Sequence, residues 1–444
     1  MEVTGPFRSE LWSLTIFQVA QHVPPVKHAL FALSSMHESY ALPSESQHLL
    51  HQYAMYHYNE AIRQVVKISQ PEHSYDTLLL TCVMFCAIES LRGNFLQSLQ
   101  HAHSGMKIIA QARVSSSTDQ PLPRIAPEML AQTFLALQNQ VMELGDSSIF
   151  RVFDSLQQGA EPVPDHFSSV EEALHWLEIL INELLGFLDR FESVYKTQTL
   201  TAGELDMGAV PEYHTLQSRI DTWNRAMSCI NELLDGVDVN QYRAYLVLKM
   251  YQSLIKILLG TALRDDDHFD TFSTDLGGIL KLAEVFLQTQ GFGVAKEKAE
   301  CKPRGKQSGL DAFAHRKPTT APTFSMSIGV VAILFLIAYR TNKPDLRDES
   351  LRVLRNYNRR EGVWDSRWTC RLAERIIELK NGLNVIAGSN SPRWRVKVMD
   401  IEFLDRNCVI RYSVVPTRTL NSESGWQLGS PLPEQEYTGI VELD

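Results

Sequence analysis

The chain has 444 residues, of which 44% are hydrophobic, 21% charged and 9% aromatic. That is enough apolar material for a large core and excludes disorder as the main state. With 42 Lys+Arg against 52 Asp+Glu the net charge is −10, so the bulk of the chain offers no bare phosphate-binding surface. The six cysteines (Cys82, Cys86, Cys229, Cys301, Cys370 and Cys408) are scattered, and the start from Met1 to Leu11 is polar and mixed rather than a secretory signal. They read as reduced thiols of a cytosolic or nuclear protein.

Apolar residues return at helical spacing through most of the chain, which predicts an all-α fold: a helical-hairpin array with a small C-terminal β-hairpin. The first predicted helix follows Pro24-Pro25 and buries Val26, Ala29, Leu30, Leu33, Met36 and Tyr40, since proline suits a first helical turn. Ser46–Ile68 is the next. Tyr75–Arg92 and Gly93–Arg113 form a predicted antiparallel pair that reverses at Arg92-Gly93-Asn94. After the Ser- and Pro-rich loop Val114–Pro127 and Phe167 comes the clearest helix, with Ser168 and Ser169 at capping-box distance from Glu171 and Glu172. Its apolar face is Ala173, Leu174, Leu177, Leu180, Ile181, Leu184, Leu185, Leu188 and Phe191.

Further helices are predicted over Tyr213–Leu234, Gln241–Leu263, Thr274–Gln288, Ser325–Arg340, Asp345–Asn356 and Ser366–Leu379. The run Ile328–Ala338 is too short for a bilayer span and reads as a buried core helix, so no membrane association is expected. Gly293–Thr323 has the composition of a solvated insertion; its basic residues, Lys296 to Lys317, are spread too thinly for a nucleic-acid patch. Arg359-Arg360-Glu361-Gly362-Val363-Trp364-Asp365 reads as a helix end with a left-handed glycine stop, and Asp365 or Ser366 then caps the next helix. Trp394–Val415 alternates like a β-hairpin that turns at Asp405-Arg406-Asn407 and docks on the helices. The predicted division is a helical domain, 1–390, with loops at 114–127 and 293–323, followed by a hairpin and tail, 391–444.

Enzyme signatures fail: there is no phosphate loop, HExxH pair or G-x-S-x-G elbow. Cys82 and Cys86 lie one helical turn apart near His101 and His103, but their apolar neighbours favour core packing over metal. Asp265-Asp266-Asp267-His268 lacks the spacing of a calcium loop and reads as a helix connection. No catalytic, cofactor-binding or metal-ligating residue is assigned, and no cofactor is expected.

Five blocks in order carry a resemblance: Leu11–Tyr40 (LWSLTIFQVAQHVPPVKHALFALSSMHESY), Tyr58–Val66 (YNEAIRQVV), Leu78–Ile109 (LLLTCVMFCAIESLRGNFLQSLQHAHSGMKII), Pro164–Leu174 (PDHFSSVEEAL) and Lys343–Ser366 (KPDLRDESLRVLRNYNRREGVWDS). Together they resemble the regulatory domain of fungal binuclear zinc-cluster transcription factors. The resemblance implies a nuclear, non-enzymatic regulator whose helical domain contacts other transcription proteins or co-regulators and leaves room for a small-molecule effector. In that family DNA is read by an N-terminal module of six closely spaced cysteines. No cysteine here precedes Cys82, so the expectation is a chain lacking the zinc cluster, meeting DNA only indirectly or through a missing module. Members of the family often accompany secondary-metabolite gene clusters, a role the resemblance extends to this chain. The alternative is a helical scaffold or adaptor for protein–protein interaction.

Overall fold

In the computed structural model the described residues are 3–42, 47–67, 75–115, 127–143, 161–197, 211–233, 238–261, 266–289, 322–387, 394–403, 407–416 and 435–442. The N-terminal part is helical. A π-turn, Leu11–Thr15, runs into α1 (Ile16–His22); extended Val23 then turns the chain so that Pro24 and Pro25 open α2 (Pro24–Ala41). There follow α3 (Gln47–Lys67), α4 (Tyr75–Arg92), α5 (Phe95–Ser115) and α6 (Pro127–Glu143). The π-turn with α1, and α6, are not among the predicted helices; of the loop Val114–Pro127, residues 116–126 lie outside the described ones.

The predicted hairpin α4–α5 forms, with Gly93 in the left-handed region at φ 80°. Its corner is fixed by a buried acid: the Glu89 carboxylate accepts from Arg92 Nη1 at 2.8 Å and from Asn94 Nδ2 at 2.7 Å. Farther along α5, Gly105 lies where α6 crosses closely, and a Cβ there would overlap the Phe134 ring. Gly105→Ala is therefore expected to destabilise the protein by about 2 kcal/mol, the size of an overpacking penalty. Phe134→Leu combined with it should recover part of that loss, which a denaturant double-mutant cycle measures.

The second half opens on the predicted capping box: Ser169 Oγ accepts from Glu172 N at 3.1 Å, and the Glu172 carboxylate accepts from Ser168 N at 2.7 Å. It starts α7 (Val170–Thr197). Then come α8 (Pro211–Leu233), α9 (Val239–Gly260), the single turn α10 (Asp266–Phe269), α11 (Ser273–Gln288), α12 (Val331–Arg340), α13 (Pro344–Asn356) and α14 (Ser366–Ala387). Asp238 caps α9 by accepting from Asn240 N and Gln241 N. Helix α12 carries the predicted apolar run, with Val331, Ile333, Leu334, Phe335, Ile337 and Ala338 buried. Among the described residues no helix is long and apolar enough to cross a membrane.

Three stretches differ from expectation. The segment ahead of α12 is not helical: Thr323–Ser325 forms β1, so the helix predicted from Ser325 begins at Val331. The segment after α13 makes β2 (Arg359–Glu361) and β3 (Trp364–Asp365); β2 pairs parallel with β1 and antiparallel with β3. The predicted C-terminal hairpin is a three-stranded antiparallel sheet of β4 (Trp394–Phe403), β5 (Asn407–Pro416) and β6 (Gln435–Glu442), in the order 4-5-6. Asn407, assigned to the turn, is the first residue of β5. A third strand covers an edge that two strands would leave open, in keeping with the marginal stability of an isolated ribbon. Of Gly293–Thr323, residues 293–321 lie outside the described ones.

Burial divides the apolar side chains into two cores. The first gathers α1–α6; the second gathers α7–α14 and the inward residues Ile401, Cys408 and Ile410 of the C-terminal sheet. Each core borrows from the other half of the chain. Phe324 and Met326 belong to the first, whereas Phe7 and Phe95 belong to the second.

Candidate functional site

The three short strands lie where the two cores meet, and the Arg359–Asp365 hairpin makes polar contacts with α4 and α6 of the first core. In the hairpin Gly362 takes a left-handed conformation, φ 59°, as the sequence predicts, but the glycine turns one strand into the next instead of stopping a helix. Its N–H donates to Ser325 O at 2.7 Å. A Cβ on Gly362 would overlap Gln140 Oε1, so α6 presses directly on the turn. Gln140 in turn donates through Nε2 to Met326 O at 2.9 Å.

The two arginines have different tasks. Arg360 reaches the first core: its Nη1 donates to Ser90 O and Leu91 O, both at 2.8 Å, and so satisfies C-terminal carbonyls of α4 that helix geometry leaves open. Its guanidinium is held by Asp365 at 2.9 Å and lies against the rings of Tyr40 and Phe95. Arg359 points into the second core, paired with Glu361 on the same side of β2 and stacked over Phe286 at 4.9 Å. Glu361 also accepts from Val330 N at 3.1 Å and Val331 N at 2.8 Å, placing a buried carboxylate on the positive end of α12. Asp365 caps α14, as predicted, by accepting from Arg367 N at 2.9 Å.

Two further acids lie nearby on helices from opposite cores. Glu143, the last residue of α6, accepts from Trp364 Nε1 at 3.0 Å. Burial pushes its pKa up to about 7, against the Trp364 hydrogen bond, while the Glu361 charge pushes it the same way as burial. Glu178 on α7 is pushed by burial up to about 8. Its backbone carbonyl accepts from Asn139 Nδ2 at 2.8 Å, and Asn182 Nδ2 donates to Asn139 Oδ1 at 3.0 Å. Tyr251 on α9 feels the charges of Glu143, Glu361 and Glu178 together, which with burial raise its pKa well above normal. Neither glutamate carries a local signal, because an isolated acid in a periodic helix reads as a solvated position.

The pairs weighed for metal have other roles. Cys86 is buried, its Sγ 3.0 Å from Ser98 Oγ, and burial pushes its thiol up to about 12; Cys82 is half-buried and pushed up to about 11. His101 Nε2 lies 3.2 Å from Tyr58 OH. Asp265 and the side chains of Asp266 and Asp267 lie outside the described residues. Among the described residues no group of three or more His, Cys, Asp or Glu side chains is arranged to hold a metal ion. The junction thus holds two arginine–carboxylate pairs, of which Arg360–Asp365 reaches across to the α4 carbonyls, with two buried acids nearby whose pKa values burial raises.

Comparison with known proteins identifies the first of those cores. Residues 3–137 match the family model of the fungal specific transcription factor domain, and the match ends within α6, the last helix of the first core. The match bears out the resemblance read from the sequence over residues 3–137, the part that the family model covers. It is also similar to the aspercryptin biosynthesis cluster-specific transcription regulator of Emericella nidulans, with 22% identity over 416 residues. That alignment covers 78% of this chain and 66% of the relative, so the chain spans just under two thirds of the relative's length. No solved structure matches the chain.

Proposed function

We propose that this chain regulates transcription in the nucleus, through contacts of its helical domain with other transcription proteins or co-regulators and without catalysis. The observation that carries the reading is the match to the transcription factor domain over residues 3–137, which span most of the first core. DNA is reached through a partner or a separate zinc-cluster module, and residues 1–390 act as one regulatory unit, with 391–444 as an accessory sheet and tail. The finer reading, a regulator of a secondary-metabolite gene cluster open to a small-molecule effector, draws on the printed name of the Emericella nidulans relative and on the family resemblance. The hydrogen bonds from Arg360, held by Asp365, to the α4 carbonyls Ser90 O and Leu91 O support treating both cores as one responsive body.

The test is genetic. Deletion of the gene is expected to change, as a group, the transcripts of one neighbouring set of biosynthetic genes under inducing conditions. The full chain tethered to a heterologous DNA-binding module is expected to change reporter output. An unchanged transcriptome together with a silent tethered fusion would overturn the reading.

A further inference from the structure

Two histidines that the sequence separates by 29 positions face each other across α2 and α3: His28 Nδ1 lies 2.7 Å from His57 Nδ1. The ring centroids are 5.0 Å apart, so the two Nδ1 atoms point at one another rather than past each other. Neutral imidazole has one donor and one acceptor nitrogen, and imidazolium has two donors. At this separation only one hydrogen fits between the rings. The pair accepts a first extra proton on an outer nitrogen and keeps its N–H···N bond. A second would require a hydrogen on both facing nitrogens and would force the rings apart.

The surroundings make that separation consequential. His57 is 8% exposed and is enclosed by aromatic rings, with Tyr53 at 4.4 Å, Tyr56 at 5.1 Å and Phe31 at 5.2 Å between centroids. Those three residues are themselves 48%, 61% and 37% exposed, so they form a thin aromatic cover at the surface. From α3, the Glu60 carboxylate favours protonation of His57; it is also held by Gln64 and Arg63. From α2, the charges are His28 itself and Lys27, which lies over the Phe31 ring at 5.9 Å. Burial and the His28 charge outweigh Glu60 and lower the pKa of His57.

We propose that His28 and His57 form a one-proton latch that holds α2 against α3 and opens the aromatic cover of Phe31, Tyr53 and Tyr56 when both rings become cations in mild acid. The sign follows from linkage. A histidine whose folded pKa is lowered contributes stability that is complete above the unfolded value of about 6.5 and is lost as pH falls through it. The latch is therefore closed at neutral pH.

Hydrogen exchange on the full chain tests it. Protection factors of α2 and α3 amides should fall at least about tenfold between pH 7 and pH 5, the factor that one pH unit of linked protonation produces. Those of α7 and α9 should stay constant. In His28→Asn and His57→Asn, where an amide keeps a hydrogen bond at the Nδ1 position without titrating, the α2 and α3 response should vanish. A wild-type response that is absent, spread over the whole protein, or retained in both variants would overturn the latch. Histidine nitrogen NMR on the wild type gives a reading independent of variant folding. Two widely separated titration steps with a shared Nδ1 hydrogen support the latch, and two independent steps near the ordinary value refute it.

Discussion

Glu361→Ala is expected to destabilise the protein by about 3–5 kcal/mol, the cost of breaking a buried charge pair from one side. The loss has two parts. Arg359, itself 3% exposed, would keep its charge over Phe286 while losing its carboxylate. Val330 and Val331 would lose the acceptor that satisfies their N–H groups at the start of α12, where helix geometry provides none. Glu361→Gln retains a carbonyl for one of those donors and should fall between the two. Arg359→Met with Glu361→Gln removes the stranded cation and should be more stable than Glu361→Ala. Urea denaturation followed by Trp364 and Trp368 fluorescence measures all three, because these stacked indoles, 5.4 Å apart, adjoin the site. A loss below about 1 kcal/mol for Glu361→Ala, the net value of an ordinary hydrogen bond, would sink the account.

Glu178→Gln is expected to stabilise the protein, and only at higher pH. A carboxyl raised from 4.5 to about 8 in the folded state binds its proton more tightly there than in the unfolded chain. Below the unfolded value both states are protonated and the group contributes no penalty. As pH rises from there the unfolded chain ionises first, so stability falls until the folded group also ionises near pH 8. The full penalty is on the order of 5 kcal/mol, and glutamine, which never ionises, escapes it. The variant should thus match the wild type near pH 4.5 and exceed it increasingly towards pH 8. Glu143→Gln should show the same trend with a smaller span, since its folded value is about 7 and its carboxylate accepts from Trp364. Stability that rises with pH between 5 and 8 in the wild type but not in Glu178→Gln would contradict the sign.

Features decided by neighbouring residues were legible in the sequence. The Ser169/Glu172 box, the proline start of α2, the glycine corner of α4–α5 and the Asp365 cap each rest on atoms within five positions. The regions that escaped are those where distant chain decides. A three-residue strand such as β1 is too short to display a period of two, and its pairing with Arg359–Glu361 spans more than 30 positions. Arg360 finds its acceptors 270 residues away. Helix α6 buries Leu130, Phe134, Leu137 and Val141, but its helical period directly follows a Pro-rich stretch whose loop composition masks its start. The isolated strand β6 offered no partner until β5 was in place.

The exchange of residues between the cores also bears on the order of events during synthesis. The first core is encoded almost entirely by Val3–Val141, yet it is completed by Phe324 and Met326, and its α4 carbonyls await Arg360. A ribosome releasing the chain N-terminus first therefore exposes a nearly finished helical unit whose last wall arrives about two hundred residues later. Contacts of such long sequence separation are slow to close and leave apolar surface open meanwhile. A nascent chain halted at Glu143 should accordingly be a chaperone client, and release from the chaperone should coincide with emergence of the Arg359–Asp365 hairpin.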